Sequence, residues 1–376
     1  MVKYVFRFIP LVISTIIAFC SAFPASLEVL EDDIALQAQR IAALEQAYEN
    51  GEIEPIDESV FFDGNLEEEI ANGLKFNELR YIATHNSYQT ASTDEIKKVY
   101  RNLSDLTFGY VNAKTGDFVS PTLTEQLNNG IYSMELDVET FDRDGEISFT
   151  CMHSPYIEMG TSCYDFELAL KEISMWSDNN PNHLPITIII EVKELFVPLE
   201  NMEFPNIDYI KAFDGTLKAC LGDKLFTPAD MLGSYESFAA LRADNGWCEV
   251  KDMLGKVLVI LHDCSLTNEY IKIDSSLKSQ AMFPMMEKKD SDNVNASFLI
   301  INKPAEIIEA GKELDDGNFI IRTRADKFTQ VTQERRQLAF ESGAQIISTD
   351  YPVINGIKPD DYYVSFGGYK TISTKK

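Results

Sequence analysis

After Lys75, the chain alternates short β-rich runs with longer helix-like stretches, and this alternation limits the possible folds more than any other feature. Strands that alternate with helices form parallel sheets, because each helix crosses back over the sheet. Eight β-rich runs occur, at residues 80–84, 131–138, 147–152, 186–192, 257–261, 298–301, 319–323 and 345–349. Eight strand–helix units of this size are typical of a (β/α)8 barrel, so we predict an α/β fold with a TIM-like barrel.

Helical candidates lie between these runs, at residues 163–177, 207–220, 304–314 and 328–342. The connection before residue 147 is too short for a helix, so we expect the barrel to be irregular there. We assign residues 74–376 to the barrel domain.

The segment that precedes the barrel, residues 23–73, is acidic: it holds fourteen Asp and Glu residues and one basic residue, Arg40. Six apolar residues recur at heptad-like spacing, with Gln37 at the missing place: Leu27, Leu30, Ile34, Ile41, Leu44 and Tyr48. This pattern predicts one helix that ends near Gly51, followed by an acidic linker. The helix either docks on the barrel or pairs weakly with a partner; the alternative is a cleaved pro-segment. Because it holds no candidate catalytic histidine, we expect the segment to be dispensable for chemistry.

Residues 1–22 have the pattern of a secretory signal peptide. Lys3 and Arg7 precede an apolar run over residues 8–19, and Cys20, Ser21 and Ala22 form a small-residue cleavage site. A retained membrane anchor is the alternative, although the run is short for a span. We therefore expect a secreted protein, with one or two disulfides and with glycosylation sequons at Asn102 and Asn295.

The net charge of −27 and the pI of about 4.5 argue against a nucleic-acid partner, because phosphate would be repelled. The same charge disfavours tight binding to an anionic membrane.

Polar residues follow the C-terminal ends of the predicted strands, where the active sites of such barrels lie. They are His85, Asn86, Glu135, Asp137, His153, Glu191, Lys193, His262, Asp263, Asn302, Arg322, Arg324 and Asp350. Another histidine, His183, precedes the fourth run and is interpreted as a loop residue.

The residue types at these strand ends indicate phosphodiester chemistry. Three carboxylates, Glu135, Asp137 and Glu191, together with the Asn86 amide oxygen, form a set of hard oxygen ligands that suits calcium. The alternative is an ion-pair network with Lys193 and the two arginines. Two histidines without cysteine ligands favour acid/base catalysis over zinc binding, and the cationic side chains favour an anionic substrate such as a phosphate.

The chain resembles the calcium-dependent phosphatidylinositol-specific phospholipases C of the microbial secreted type. The similarity runs over residues 79–352 and leaves the N-terminal helix unexplained. It rests on these motifs: Thr84-His85-Asn86-Ser87-Tyr88, Leu123-Thr124-Glu125-Gln126-Leu127, Met134-Glu135-Leu136-Asp137, His153-Ser154-Pro155, Trp176-Ser177, residues 180–185, Glu191-Val192-Lys193, residues 321–326 and residues 343–352.

The resemblance implies a role for each matching residue. His85 would be the general base on the inositol 2-hydroxyl, and His153 would protonate the leaving diacylglycerol oxygen. Lys193 and Arg324 would hold the substrate phosphate. Calcium would be bound by Asn86, Glu135, Asp137 and Glu191. The first product would be a cyclic inositol phosphate. The substrate would be a phosphoinositide or a related phosphodiester lipid. The enzyme would be a monomer that contacts the membrane transiently.

Two positions depart from the family pattern. Gln89 stands where relatives often have histidine, and Tyr132 stands where an arginine commonly braces the neighbouring acidic residues. The second departure puts the calcium affinity in doubt. Two other functions remain open: a phosphodiesterase of the same barrel acting on glycerophosphodiesters or sphingomyelin, and a catalytically silent binding protein.

Overall fold

Eight parallel strands form a closed barrel in this computed structural model, which describes residues 2–107, 113, 117–155, 158–193, 201–327, 330–354 and 362–375. The barrel strands are β1 (Leu79–Thr84), β2 (Ser133–Arg143), β4 (Ile186–Val192), β6 (Val257–Leu261), β7 (Met282–Glu287), β8 (Phe298–Ile300), β9 (Ile320–Arg324) and β10 (Ile346–Thr349). Pairing of β1 with both β10 and β2 closes the cylinder. The predicted TIM-like (β/α)8 barrel is confirmed.

Three strands lie outside the cylinder: β3 (Glu146–Cys151), β5 (Met202–Glu203) and β11 (Ile372–Thr374). β3 and β5 run antiparallel to the outer part of β2, and β11 runs antiparallel to β1. The barrel strands are buried almost throughout, as in the run of β-branched residues along β4, because side chains fill the interior and helices cover the outside.

The helices are α1 (Val2–Glu49), α2 (Leu66–Ala71), α3 (Asp94–Leu106), α4 (Leu123–Leu127), α5 (Phe166–Asn179), α6 (Ile207–Leu221), α7 (Pro228–Leu232), α8 (Phe238–Ala243), α9 (Thr267–Ile273), α10 (Pro304–Ala310), α11 (Lys312–Asp316) and α12 (Gln333–Glu341). The predicted helices at 163–177 and 207–220 correspond to α5 and α6. The candidate at 304–314 is divided at Gly311, whose φ of 46° ends α10. The candidate at 328–342 corresponds to α12, and its first two residues lie outside the described part of the chain.

One predicted barrel strand is wrong and one was missed. Residues 147–152 form a strand, but it is β3, the returning arm of a hairpin with β2, and not part of the cylinder. The eighth barrel strand is β7, which pairs with β6 and β8. Its Met-rich sequence has no β-branched residue and contains Pro284, so it lacks the usual sequence signature of a strand.

The N-terminal helix α1 packs against α3 and α5. The Gln37 amide exchanges hydrogen bonds with the backbone of Asp165, at 2.9 and 2.8 Å. Arg40 donates to the Ser162 carbonyl at 2.7 Å and pairs with the buried Glu172 carboxylate at 2.9 Å. The two residues that interrupt the apolar and acidic pattern of this segment are therefore the ones that dock the helix.

The linker after α1 also contacts the barrel domain. Phe62 is fully buried and forms a parallel bridge with Ile372 of β11. The Glu58 carboxylate accepts from the backbone N–H of Leu184. The residues between α1 and β1 therefore cover the end of the barrel at which the strands begin.

Three expectations about processing can be compared with the structure. Among the described residues, no helix is long and apolar enough to cross a membrane. The expected disulfides are not formed among the described residues, and Cys163 and Cys264 each contact a hydroxyl group. Asn295 is 2% exposed and donates to the Ser275 carbonyl, so its sequon cannot accept a glycan in the folded protein.

Candidate active site

Strand register brings the predicted catalytic residues to one rim of the barrel. Thr84 of β1 lies opposite Met134 of β2 and Thr349 of β10. The next residues along these three strands are His85, Glu135 and Asp350. On the other side of β2, Asp137 lies opposite Glu191 of β4, which places these carboxylates side by side.

His85 is held by Asp350 and Arg324. Its Nδ1 lies 2.8 Å from Asp350 Oδ1, and Arg324 Nη1 lies 3.1 Å from its Nε2. Arg324 Nη2 also lies 3.4 Å from Nδ1, but the contact of Nδ1 with Asp350 is shorter. A guanidinium can only donate, so the tautomer that satisfies the two shorter contacts has Nε2 as acceptor and the proton on Nδ1, towards Asp350. Burial and the nearby Arg324 charge hold the pKa of His85 well below its usual value. The imidazole is therefore neutral, with its lone pair on Nε2, as a general base requires.

His153 reaches the same rim through the β2–β3 hairpin. β2 continues beyond the barrel to Arg143, and β3 returns antiparallel, so that the Met152 N–H donates to the Asp137 carbonyl at 3.2 Å. His153 follows, and its Nδ1 lies 2.7 Å from Glu158 Oε2. Although burial alone would lower the pKa of His153, the Glu158 carboxylate raises it above the usual value. This histidine favours the protonated form, which suits a general acid.

Three carboxylates form a cluster beside the histidines. One oxygen each of Glu135, Asp137 and Glu191 lies within 4.8 Å of the others. Asp137 is fully buried, and burial raises its pKa. Hard anionic oxygens at this spacing fit a calcium ion, and the cluster contains three of the four predicted ligands.

Cationic side chains pair with the same carboxylates. Lys193 Nζ lies 2.7 Å from Asp137 Oδ2 and 2.8 Å from Glu191 Oε1. Arg322 pairs with Glu135. Although burial opposes ionisation, these cations hold the pKa of Glu135 and of Glu191 at about 2. The ion-pair network predicted as the alternative is therefore present, and a metal ion would share its carboxylates with Lys193.

Asn86, the fourth predicted ligand, is buried with a φ of 47°, in the left-handed region that asparagine tolerates. Its amide nitrogen donates to Gln89 Oε1 at 3.3 Å. Gln89, one of the two departures from the family pattern, therefore orients the Asn86 carboxamide.

The second departure, Tyr132, does not face the carboxylate cluster. It packs against Trp176 and His183, and Glu58 contributes to raising its pKa. These residues lie at the opposite end of the barrel. His183 there contacts Ser177 Oγ at 2.8 Å, in agreement with a structural role. In this chain the arginine that pairs with Glu135 is Arg322 of β9.

A hydrogen-bonded brace fixes the loop that contains His85. Gln126 of α4 donates to the Ser87 carbonyl at 2.7 Å and accepts from the Thr84 hydroxyl at 2.6 Å. The Ser87 hydroxyl accepts from the Glu135 N–H at 2.9 Å. Two of the motifs that are separate in sequence thus form one support for the loop of His85, the first candidate catalytic histidine.

Sequence reasoning missed two acidic residues at this rim. Glu158 lies in a loop and follows no predicted barrel strand, so the strand-end rule could not identify it. Glu139 continues the alternation of Glu135 and Asp137 along the same face of β2; it is 1% exposed, and burial raises its pKa to about 8. Extending the period-two pattern by one step would have found Glu139.

A sequence model of one protein family matches the chain. The family is described as phosphoinositide phospholipase C, Ca2+-dependent, and the match spans residues 140–375. No curated protein sequence matches the chain significantly.

Solved structures of bacterial enzymes are similar to this fold. A calcium-dependent phosphoinositol-specific phospholipase C from Pseudomonas sp. in its apo form is 18% identical, with a TM-score of 0.55, and the match covers 84% of this chain and 99% of that one. Its myo-inositol complex is 19% identical, with a TM-score of 0.55 and the same coverage. A Ca2+-dependent phosphatidylinositol-specific phospholipase C from Streptomyces antibioticus is 18% identical, with a TM-score of 0.52, covering 80% and 99% of the two chains.

Proposed function

Because the chain belongs to the family of Ca2+-dependent phosphoinositide phospholipases C, we propose that it cleaves phosphatidylinositol-type lipids to diacylglycerol and an inositol phosphate. The observation that supports this most is the contrast between two histidines at one rim. Burial and the Arg324 charge keep His85 neutral, whereas Glu158 favours the protonated form of His153. Neighbouring groups whose pKa values are shifted in opposite directions are typical of a base and an acid that act in one reaction.

The reaction that fits this pair is an internal displacement at phosphorus. His85 Nε2 takes the proton of the inositol 2-hydroxyl, and that oxygen forms a bond to phosphorus. The bond between phosphorus and the glycerol oxygen breaks, and His153 gives its proton to the leaving oxygen. The first product is a five-membered cyclic inositol phosphate.

The remaining residues prepare the substrate and the charge. Arg324 and Lys193 are cationic, and the side chain of each is less than one fifth exposed. Both would bind the phosphate oxygens of the substrate. Glu135, Asp137 and Glu191, with Asn86, would hold calcium. When bound, the ion would supply positive charge that stabilises the negative charge developing in the transition state.

Product analysis tests the proposal. The purified protein is incubated with phosphatidylinositol, sphingomyelin or a glycerophosphodiester, with calcium or with a chelator, and products are followed by 31P NMR. We expect a cyclic inositol phosphate from the first substrate only, and only with calcium. Cleavage of another substrate would assign the chain to a different reaction of the same barrel, and no cleavage would favour the silent binding protein.

Two variants test whether the two histidines carry out the cleavage. His85→Ala and His153→Ala should each lose about 10²–10⁴-fold in rate while remaining folded. The double variant should lose less than the product of the two, because residues that act in one step are not additive. Wild-type turnover by either variant would show that its histidine only packs at the strand end.

We also propose that the protein is secreted and loses about its first 22 residues. The docking residues Asp33, Gln37 and Arg40 follow that point, so the remaining part of α1 keeps its contacts. Mass spectrometry of the secreted protein should find a terminus near residue 23; a mature protein that begins at Met1 would contradict this.

A further inference from the structure

The N-terminal helix α1 lies against the loops that contain the catalytic histidines. Asp33, on the face of α1 that also contains Gln37 and Arg40, is 8% exposed. Its Oδ2 accepts two hydrogen bonds, from the Thr90 hydroxyl at 2.8 Å and from the Thr161 N–H at 2.7 Å. A carboxylate so deeply buried requires such partners, because its desolvation is otherwise uncompensated.

The two partners of Asp33 belong to different catalytic loops. Thr90 ends the loop that begins with His85 and Asn86, and Thr161 follows the loop that contains Glu158. The loops pair with one another: Gln89 forms an antiparallel bridge with Thr161, and the Thr90 N–H donates to the Gly160 carbonyl at 3.3 Å. Asp33 therefore binds both loops where they meet: the loop that begins with His85, called the base loop, and the loop that contains Glu158, called the acid loop.

Gly160 shows how closely α1 approaches this junction. A Cβ atom at position 160 would lie 2.4 Å from Thr90 Oγ1 and 3.4 Å from Val29 Cγ1 of α1. There is no room for a side chain between the helix and the base loop, so the loop position depends on the helix.

Glu158 is two residues from Gly160 and contacts His153 directly. Its other oxygen, Oε1, accepts from the Tyr100 hydroxyl of α3 at 2.6 Å, and α3 packs against α1. The carboxylate that orients His153 is thus held from two sides, by α3 directly and by α1 through the backbone of residues 158–161.

We propose that Asp33 is a positioning residue for protonation of the leaving group, acting through the Glu158 loop on His153. This inference rests on the proposed function, because it assigns His153 as the acid. This role of Asp33 would make α1 necessary for full activity. It is contrary to the expectation from the sequence that the acidic segment is dispensable for chemistry.

Two substrates with different leaving groups test this role in the full chain. Phosphatidylinositol releases an alkoxide, which needs a proton, whereas an inositol 4-nitrophenyl phosphate diester releases a phenolate, which leaves readily without one. We expect Asp33→Ala to slow the first reaction about tenfold or more and the second less than about threefold. Asp33→Asn keeps an acceptor oxygen and should recover most of the rate. The matched control is Asp32→Ala, at an exposed neighbour on the same helix.

Equal losses on both substrates would show a merely structural role and overturn the proposal, as would wild-type rates on both. Amide hydrogen exchange gives a second, activity-independent measurement. Asp33→Ala should increase exchange at Thr161 and across residues 158–162, and Asp32→Ala should not. Unchanged exchange in Asp33→Ala rejects the positioning role. If the wild type cleaves neither substrate, the proposed function fails, while the exchange result still decides whether Asp33 holds the loop.

Discussion

At the residue scale, the charged neighbours of each histidine decide its protonation state: Arg324, together with burial, favours neutral His85, and Glu158 favours protonated His153. Glu158 lies 2.7 Å from His153, and Asp137 and Lys193 also act on that ring, raising and lowering its pKa respectively. The charge of Glu158 is what outweighs burial. Without it, the pKa of His153 should fall.

Glu158→Gln should therefore move the alkaline limb of the rate profile. His153 acts only when protonated, and its raised pKa extends activity to higher pH; lowering that pKa shifts the loss of activity to lower pH. The measurement is kcat/KM against pH, with Glu146→Gln, at an exposed position on the same hairpin, as the control. An unmoved limb would show that another group is the acid.

Glu191 allows the calcium prediction to be tested without an activity measurement. Calcium that binds only the native state should raise the melting temperature, and the increase should grow with the logarithm of the calcium concentration above Kd. Glu191→Gln should lose most of this increase, because it removes one of three converging carboxylates.

Glu287→Gln is the matched control for that experiment. Glu287 is the last residue of β7, and Glu191 is the second-to-last residue of β4. Each pairs with a lysine two residues later, Lys289 at 2.5 Å and Lys193 at 2.8 Å. Only the Glu191 pair belongs to the cluster, so the control should keep the full calcium effect. If calcium does not change the melting temperature of the wild type, the cluster is an ion-pair network and not a calcium site.

At the element scale, α4 shows how a helix outside the barrel can fix a catalytic loop. Gln126 is fully buried, and three hydrogen bonds join it to Ser87, Pro121 and Thr84. Gln126→Ala removes the partner that the Ser87 and Pro121 carbonyls share and should destabilise the protein by about 2–4 kcal/mol, measured by urea unfolding. Gln337→Ala, on the exposed face of α12, should cost less than about 0.5 kcal/mol. A small loss of unfolding free energy in Gln126→Ala would mean that water molecules replace the hydrogen bonds of the Gln126 side chain.

The elements that the sequence predicted share strong local signals, and the others lack them. The β-branched run of β4 and the polar residues at strand ends sufficed to place Glu135, Asp137 and Glu191 on one rim. β7 was missed because Met residues and Pro284 carry no strand signal. The β2–β3 hairpin was taken for a barrel strand, since alternation alone does not distinguish a returning strand from a parallel one.

Loop contacts were the part of the site beyond sequence reasoning. Glu158 reaches His153 only after the chain turns back on itself at residues 154 and 158, where the backbones exchange hydrogen bonds. The bonds of Asp33 to Thr90 and Thr161 join residues 57 and 128 positions apart. No local pattern identifies such pairs. Gln37 and Arg40 departed from the apolar and acidic pattern of the helix, but the sequence left open whether the helix docks on the barrel or pairs with a partner.

At the scale of the whole molecule, the net charge of −27 opposes binding to the surface on which a phosphoinositide lies. Its potential extends roughly 30 Å at 0.01 M salt and about 10 Å at 0.1 M. Lys193 and Arg322, two of the cations at the rim, are paired with carboxylates and cannot offset the repulsion. The net charge should therefore govern the encounter with vesicles, while the rim governs the chemistry.

Vesicles of fixed phosphatidylinositol content separate these two effects. Replacing part of the phosphatidylcholine with phosphatidylserine should slow cleavage, because a more anionic surface repels the protein, and added salt should restore the rate by screening. A soluble inositol phosphodiester is the control: phosphatidylserine vesicles should not change its rate, since it needs no surface. Acceleration by phosphatidylserine would contradict the prediction, and would mean that a local basic surface outweighs the net charge where the barrel rim meets the lipid.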